Sequence, residues 1–417
     1  MKELARVLAP VPPETFFRDH WDRRALHIPG MPGKFAGIYD AATWTRFEGV
    51  EDLKAVTTDP RGVQVEIPAL PEQAGALFLR GFTICANVSQ APLVAPFLRA
   101  FRAELGLPGG PPFAKLYASN DGGGFALHAD KHHVFVLQVA GKKLWRYSRE
   151  PAVAAPRDGL FMSANGQPSW SNGASGEAAR HDDGRPVAAP DVDALEVALL
   201  EPGHGLYMPP GTWHVARAEG HSIAVSVSPE RATVADFVLA ALRERLEEGS
   251  SWRRDLFARP GETPPGGGVP ASIAAELGAR LADLRAELAG FDERRLHRRW
   301  SLGVALGRAS EEPEAPRPPD AGEIRRADVF ARADGEPFHF VVAPSPAGDG
   351  ERCFFYRSGG EWSLPASARE VLGQIAEREE LRAEAALAWD RRLKFQDVRE
   401  ILATLVAAGV LVRRAAP

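Results

Sequence analysis

Hydrophobic and polar positions alternate through the middle of the chain. Between residues 113 and 147 the segments FAKLY, GFALHAD, HVFVLQVA and KKLWRYS are rich in Val, Phe, Leu and aromatic residues and are separated by glycines. This pattern predicts short strands. Further strands are predicted at 196–201, 204–208 and 222–228. Many short strands with no helices between them predict an antiparallel barrel or sandwich and not a Rossmann sheet.

The regions around these strands have other patterns. Helices are predicted at 13–25, entered through a proline, and at 92–105, closed by glycine. Apolar runs broken by Pro and Gly between 60 and 90 indicate strands. The segment 155–190 is rich in Gly, Ser, Asn and Pro and is predicted to be a long loop.

The pattern changes after Pro229, where apolar residues take helical spacing until a proline-rich stretch, EEPEAPRPPDAGE. Beyond that stretch, strands lead to predicted helices at about 366–380 and 395–408 and to a last strand, GVLVRR. Helices followed by a terminal strand favour a winged helix. The chain is therefore divided into a β-rich domain at 1–229, a helical segment at 230–310, a linker at 311–324 and a winged-helix-like domain at 325–417.

Composition narrows the class of protein. The 417 residues are 45% hydrophobic and 25% charged, with a formal net charge of -5, so a sizeable core and no dedicated nucleic-acid binder are expected. The two cysteines, Cys85 and Cys353, exclude a disulfide framework and a cysteine zinc site and fit a reducing cytosol. Without an apolar leader or a run of eighteen apolar residues, the protein is predicted to be cytoplasmic and to avoid membranes.

Candidate chemistry begins at His128 and Asp130. Residues i and i+2 of an extended chain point to one side, so both side chains can converge on one point. With a second histidine they form the facial triad of a divalent first-row metal, which leaves positions open for 2-oxoglutarate and dioxygen. The turn Pro209-Pro210-Gly211 presents such a histidine, His214, rigidly at the start of a strand. By itself the H-x-D pattern is weak, because the chain has eleven histidines.

Two further residues raise that signal. Lys143 shares a strand face with Trp145 and Tyr147, and a cation inside a barrel needs an anion, which the distal carboxylate of 2-oxoglutarate would supply. The hydroxyl of Tyr117, on the strand before H-x-D, could donate to the same carboxylate. A solvated hairpin lysine and a core tyrosine are the alternatives.

Four other histidines compete as ligands: His132, His133, His204 and His221. Strand neighbours alternate faces, so at most one of the first two can face the centre. All four are predicted to lie at the surface or behind the ligands.

These motifs resemble a known family. HADKHHVFVLQVAGKKLWRY, LEPGHGLYMPPGTWH and FFRDHWDRRALHIPG are similar to segments of the JmjC oxygenases of the cupin-4 or ribosomal-oxygenase group. The family pattern is H-x-D, a basic residue fifteen positions after the first histidine, and a distal histidine behind a P-x-G turn. Here these positions are His128, Asp130, Lys143 and His214.

The resemblance covers roughly 14–228 and implies a JmjC double-stranded β-helix, a cupin-like fold, in the catalytic domain. It implies Fe(II) held by His128, Asp130 and His214, with 2-oxoglutarate anchored by Lys143 and assisted by Tyr117, and dioxygen as the other cosubstrate. The order of later segments implies a helical dimerisation segment and a C-terminal winged helix, hence a homodimer.

Three departures from the family pattern stand out. Lys115 occupies a position where the family often has asparagine, and His204 replaces a common aspartate. The third is the long polar insertion at 155–190. Lys115 puts contacts to the substrate or cosubstrate in doubt, though not the metal triad.

The predicted function is hydroxylation of a side chain of a protein or peptide, by resemblance a His or Arg of a ribosomal protein. The same chemistry on a small metabolite or modified peptide, or N-methyl-lysine demethylation, is an alternative, and a non-enzymatic cupin that binds a ligand is one from another class. DNA binding by the C-terminal module is disfavoured, because residues 323–417 hold fourteen Lys and Arg against fifteen Asp and Glu. DNA binding stays an open alternative because of a local basic cluster, formed by Arg391, Arg392, Lys394 and Arg399.

Overall fold

The structure is a computed structural model of the full chain. It describes residues 2–414 apart from 46–49, 59–63, 108–111, 164, 172–176, 258–261, 263–267, 290, 292, 294, 295, 298, 301–323, 334–339, 346–349 and 358–359. The chain divides into two compact units, Met1–Arg231 and Ala232–Pro417.

The first unit is mainly β. Its helices are α1 (Lys2–Leu8), α2 (Pro13–Asp19), α3 (Pro71–Leu79) and α4 (Val94–Leu105). Its strands are β1 (Leu26–Ile28), β2 (Glu51–Thr58), β3 (Gln64–Pro68), β4 (Thr83–Asn87), β5 (Phe113–Ser119), β6 (His128–Ala129), β7 (Val134–Tyr147), β8 (Leu160–Met162), β9 (Pro168–Trp170), β10 (Glu196–Leu200), β11 (Gly205–Met208) and β12 (Trp213–Ser228).

These twelve strands form one sheet in the order β1-β11-β7-β12-β5-β4-β2-β3, and their pairings are antiparallel. β10 also pairs with β7, while β6 joins β12 to β8 and β8 pairs with β9. The long strands β7 and β12 therefore lie at the centre, and β6 brings the H-x-D segment against β12. The predicted mainly β architecture is confirmed.

The two faces of β5 show how the sheet separates core from site. Ala114, Leu116 and Ala118 are buried in the main core, while the intervening residues, Lys115 and Tyr117, are only partly buried. The side-chain period of two places them on the opposite face, together with Ser119. One face of β5 thus stabilises the fold and the other is available for chemistry.

Two predictions for the first third are corrected. The predicted helix 13–25 ends at Asp19. The region 60–90 contains β3 and β4 as predicted, but α3 lies between them. Pro71 stands in the first turn of α3, where a proline needs no donor, and the Gln73 side chain accepts from the Leu70 N–H at 2.9 Å. These start signals outweigh the Pro and Gly that indicated strands.

The predicted strands around H-x-D and the predicted loop are also corrected. GFALHAD is extended in the sheet only at His128–Ala129, and HVFVLQVA and KKLWRYS form one continuous strand, β7. The predicted loop 155–190 contains β8 and β9, because Phe161 and Leu160 pair with the two residues of β6. Because β6 and β8 are far apart along the chain, their pairing leaves little pattern in the local sequence.

The second unit contains α5 (Val234–Glu247), α6 (Ala271–Ala289), β13 (Val329–Arg332), β14 (Val341–Pro344), β15 (Glu351–Arg357), β16 (Gly360–Pro365), α7 (Arg369–Ala376), β17 (Glu380–Arg382), α8 (Ala386–Trp389), α9 (Phe395–Ala407) and β18 (Leu411–Arg413). Its strands form two three-stranded sheets, β17-β13-β18 and β14-β15-β16. The predicted helix 366–380 is shorter, and 395–408 is nearly matched by α9. The predicted linker 311–324 lies outside the described residues except for Ile324. In the part of the chain that is described, no helix has the length and apolarity needed to cross a membrane.

Candidate active site

The structure brings the three predicted metal ligands together. One ligand atom from each of His128, Asp130 and His214 lies within 4.8 Å of the others. His214 Nε2 is 3.6 Å from Asp130 Oδ2, and His128 Nε2 is 4.0 Å from the same oxygen. Strand pairing causes this convergence, since His128 of β6 stands directly opposite His214 of β12.

The two imidazoles are held in one orientation. His128 Nδ1 lies 2.8 Å from the carbonyl oxygen of Ala126, and His214 Nδ1 lies 2.9 Å from that of Thr212. A carbonyl can only accept, so each Nδ1 must carry the proton and donate. Each Nε2 then keeps its lone pair for a metal, the usual arrangement behind histidine ligands.

Electrostatics favours the protonation states that a metal requires. Burial by itself would raise the pKa of the Asp130 carboxyl, but the surrounding histidines, led by His128, hold that pKa below its usual value. Burial and the neighbouring His128 lower the pKa of His214 to about 4. A carboxylate beside the neutral imidazole of His214 on one side of a pocket fits a divalent first-row cation that keeps coordination positions open.

The turn before His214 depends on Gly211. This residue has φ +82, and a Cβ there would lie 2.1 Å from the carbonyl oxygen of Val153. Its N–H donates to the carbonyl oxygen of Asp130 at 2.7 Å. The turn therefore ties the backbone of one candidate ligand, Asp130, to the segment that presents another, His214.

Lys143 is the buried cation of the site. Its side chain is only 3% exposed, and Nζ donates to Ser119 Oγ at 3.0 Å. Among the described residues, Lys143 forms no ion pair. Burial, with Arg217 adding to it, lowers the pKa of Lys143 to about 8. A desolvated ammonium bonded only to a hydroxyl is a ready partner for an anionic ligand.

Tyr117 lies beside Lys143, whose Nζ is 5.9 Å from the centre of the phenol ring. Tyr117 stands on β5 opposite Cys85 of β4 and Ala224 of β12. Burial raises the pKa of its hydroxyl well above the usual value, so at neutral pH the hydroxyl is a hydrogen-bond donor.

These side chains line one pocket, whose empty space is about 490 Å³ when the open solvent at its mouth is included. Its walls are Tyr117, Phe125, His128, Asp130, Val134, Val136, Lys143, Trp145, His214, Ala216, Ala224 and Ser226. One end holds the candidate metal ligands, and the rest is mostly apolar around Lys143. A small anion bound here would be shielded from water while it reached the metal ligands.

Sequence reasoning missed two residues of the site. Ser119 receives hydrogen bonds from Lys143 and from Thr83, each at 3.0 Å. Strand alternation from Tyr117 was a signal that could have found it. Phe161, which lies parallel to His128 with centroids 5.9 Å apart, was hidden in the predicted loop.

The competing histidines lie outside the cluster of three. His132 Nε2 is 4.0 Å from Asp130 Oδ1, so it neighbours the site without joining the three ligand atoms. His133 stacks on Trp21 with centroids 3.8 Å apart. His204 pairs with His27, ring nitrogens 3.1 Å apart. His221 is exposed and lies at the register shift between Glu219 and Ser222 of β12.

Lys115 lies at the edge of the pocket. It stands opposite Ser226, which lines the pocket, and its Nζ is 5.7 Å from the centre of the Phe113 ring. That ring in turn contacts His132, with centroids 5.1 Å apart. Lys115 forms no salt bridge with any described carboxylate. Its charge acts on the nearby Asp130 carboxylate, whose pKa it helps to lower.

Comparison with known proteins finds a JmjC domain in the middle of the chain. Residues 110–237, which include every candidate site residue, match the JmjC domain family. Ribosomal oxygenase 1 of Rattus norvegicus is 30% identical over 276 residues, covering 60% of this chain and 41% of that protein. The protein YxbC of Bacillus subtilis is 25% identical over 268 residues, 60% of this chain and 77% of that protein.

A solved structure of the Escherichia coli ribosomal oxygenase YcfD, in complex with cobalt and 2-oxoglutarate, aligns over 97% of this chain and 99% of that one. The identity is 18% and the TM-score 0.45. This chain spans 41% or less of the first vertebrate ribosomal oxygenase 1 proteins it matches.

Residues 110–237 therefore contain a JmjC domain, and the site within it groups two histidines and a carboxylate that could hold a metal ion. Proteins similar to this chain include ribosomal oxygenase 1, so the predicted resemblance is confirmed. The predicted enzyme class and the predicted metal and cosubstrate agree with these matches.

Proposed function

We propose that this chain is an Fe(II)- and 2-oxoglutarate-dependent oxygenase that hydroxylates a side chain of a protein or peptide. The observation that carries the proposal is the convergence of His128, Asp130 and His214 in the pocket that also buries Lys143. A metal triad alone fits many sites. The triad together with the buried Lys143 ammonium, which has no carboxylate partner among the described residues, fits a ligand such as 2-oxoglutarate. One end of that dianion chelates a metal and the other end can pair with the lysine.

Each side chain has a distinct part in the proposed reaction. His128, Asp130 and His214 hold the iron through Nε2, a carboxylate oxygen and Nε2. Lys143 and the Tyr117 hydroxyl bind the distal carboxylate of 2-oxoglutarate. Together the bound iron, 2-oxoglutarate and dioxygen supply the oxidising chemistry, in which decarboxylation to succinate accompanies hydroxylation of a C–H bond. The apolar walls exclude water, which protects that oxidant from side reactions.

The target is proposed to be a protein side chain, with a ribosomal protein as the leading candidate. Support comes from the curated relatives, which bear the name ribosomal oxygenase 1. Another relative, at 27% identity from Drosophila persimilis, is described as a bifunctional lysine-specific demethylase and histidyl-hydroxylase. The second name points to histidine and methyl-lysine as target residues, and arginine stays a candidate from the sequence resemblance.

Lys115 favours a neutral target among these. With Fe(II), the Asp130 carboxylate, the 2-oxoglutarate dianion and the Lys143 ammonium, the formal charges of the centre cancel. Lys115 forms no salt bridge with a described carboxylate and adds a further positive charge close to Asp130. An arginine or methyl-lysine side chain entering there is repelled by this like charge, and the repulsion is strong because little water separates the two charges. A neutral histidine side chain avoids that repulsion and is preferred. A small metabolite remains the alternative within the same chemistry.

The second unit is proposed to serve assembly and recognition. On α6, Leu277, Leu281 and Leu288 are exposed at helical spacing, which supports a helical segment that forms a homodimer. The sheet β17-β13-β18 with α7, α8 and α9 supports a winged-helix-like domain. Its balanced charge favours contact with protein over DNA. We also propose a cytoplasmic location, given the two unpaired cysteines.

The test begins with anaerobic Fe(II) and 2-oxoglutarate added to the full chain. A weak visible charge-transfer band that His128→Ala abolishes is expected. Its absence would favour a non-enzymatic cupin that binds another ligand. With air admitted, turnover of 2-oxoglutarate should rise in the presence of a histidine-containing ribosomal peptide and produce a mass gain of one oxygen. A rise only with a small molecule would support the metabolite alternative.

A further inference from the structure

An aromatic side chain borders the candidate metal ligands. Phe161 of β8 stands directly opposite His128 of β6, and His128 in turn stands opposite His214 of β12. Directly opposed residues of neighbouring antiparallel strands project to the same face of the sheet. Phe161 and the two candidate ligands therefore form one row across three strands.

The two faces of the β6–β8 pair have different environments. Ala129 and Leu160, the other opposed pair, are 1% and 0% exposed and pack in a core cluster with Trp213. On the opposite face His128 lines the pocket, and the Phe161 ring lies nearly parallel to the His128 imidazole, at an interplanar angle of 9°. The strand pairing thus directs Phe161 toward the site and away from the core.

Exposure to solvent increases along this row. His214 is 4% exposed, His128 is half-buried and Phe161 is 38% exposed. Phe161 is not one of the residues that line the pocket, so its ring lies at the rim, on the β8 side of His128. A target side chain that approaches the metal ligands along this row contacts the exposed ring.

An exposed phenylalanine does not by itself mark a binding site, since single apolar side chains are common at protein surfaces. Phe17 of α2 is 37% exposed, and its ring contacts Phe16 and Trp21, none of which lines the pocket. What distinguishes Phe161 is its register with two candidate metal ligands.

The ring restricts the chemistry of its partner. A phenyl face is flat and apolar, so another flat ring can pack on it in the parallel, offset arrangement that aromatic pairs favour. A neutral imidazole meets this requirement and avoids the like charge of Lys115. A guanidinium also stacks on aromatic faces, but it is repelled by that charge.

We propose that Phe161 selects the target residue by stacking on a flat, neutral side chain, a histidine ring, as that side chain enters the site. The inference rests on the proposed function and deepens it, because it names the surface that recognises the target. Phe161 acts on binding and therefore determines which residue reaches the metal ligands.

The test is a double-mutant cycle on the full chain, loaded with 2-oxoglutarate and with Mn(II) in place of Fe(II). Fluorescence anisotropy measures Kd for a labelled histidine-containing ribosomal peptide and for its counterpart with leucine at the target position. The wild type is expected to prefer the histidine peptide by at least about fivefold, and Phe161→Leu should reduce that preference to less than about twofold. Phe161→Tyr, which keeps the ring, and the control Phe17→Leu should both retain the preference.

A second measurement uses only wild-type protein, so it does not depend on how the variants fold. Phenylalanine and cyclohexylalanine have nearly the same volume, but only phenylalanine is flat. A peptide with phenylalanine at the target position is expected to bind about fivefold more tightly than one with cyclohexylalanine. Equal Kd values for these two peptides, or an undiminished histidine preference in Phe161→Leu, would overturn the proposal. If the wild type itself fails to bind 2-oxoglutarate, the proposed function fails instead.

Discussion

His128 and His214 face each other across the β6–β12 pair with imidazole centroids 4.2 Å apart, and each ring donates to the carbonyl oxygen two residues before it. The same local hydrogen bond thus sets both rings, although 86 positions separate them in the chain. Asp130 lies next to both. Its carboxylate completes a site in which every donor atom is oriented before a metal binds.

Replacing a ligand should remove the metal. His214→Ala is expected to weaken Mn(II) binding by at least about 100-fold, because one of three ligands is lost. His132→Ala is the matched control, since that imidazole neighbours Asp130 outside the cluster. Titration followed by electron paramagnetic resonance checks both. Equal loss in the two variants would mean that His132 is a ligand too.

Replacing Lys143 should separate stability from binding. Lys143→Met removes a buried ammonium that has only a hydroxyl partner, so the metal-free protein should become more stable at pH 7 by about 2 kcal/mol. Binding of 2-oxoglutarate should fall at least tenfold, because the carboxylate loses its cation. Lys142→Met is the control, as that exposed lysine pairs with Glu201 on the other face of β7. Thermal melts and calorimetry measure the two effects.

The pH dependence should report Lys143 directly. Its pKa falls from an ordinary 10.5 to about 8 on folding. Between these values the unfolded chain binds more protons, so the contribution of Lys143 to the free energy of unfolding rises with pH from about 8 to 10.5. The measurement is the difference between wild type and Lys143→Met, which should shrink over that window. A difference that is constant with pH would place the lysine in solvent.

Gly211 should be intolerant of a side chain. Gly211→Ala places a Cβ against the Val153 carbonyl at a φ of +82, so backbone strain adds to a steric clash. We expect a loss of several kcal/mol in unfolding free energy and weaker metal binding. Gly184→Ala has nearly the same φ, +83, with nothing within 4 Å of the added Cβ. Gly184→Ala should lower the free energy of unfolding by only about 1 kcal/mol. Similar denaturation midpoints for the two variants would argue against a steric clash at Gly211.

Lys115 should govern selection by charge. Lys115→Met is expected to raise kcat/KM for an arginine-containing peptide about tenfold relative to the matching histidine peptide, because the like charge at the pocket edge is gone. Binding of 2-oxoglutarate should change little, since Lys143 stays in place. Lys131→Met, another lysine near the H-x-D segment that pairs with Asp158, is the control. An unchanged ratio of the two peptides would show that Lys115 does not select the target.

The local sequence pattern was sufficient to predict the positions of side chains that depend only on the alternation of faces along a strand. The period of two placed Lys143 and Trp145 on one face and predicted that His128 and Asp130 would converge, and the structure shows both. The mainly β domain and most strand positions followed from the same signal. Local pattern failed where several weak signals competed, as at Pro71–Leu79, where the hydrogen bond at the helix start is visible only once folded.

The sequence by itself determined the chemical types that this protein offers: two imidazoles, a carboxylate and a lysine on strands that face inward. Only the tertiary structure decided that they meet, because the β6–β12 register joins His128 to His214 and the β5–β12–β7 pairing brings Ser119 to Lys143. Register between distant strands depends on hydrogen bonds across the whole sheet, and no short stretch of sequence encodes it. For the same reason Phe161, paired with His128 from a polar insertion, became visible only in the fold.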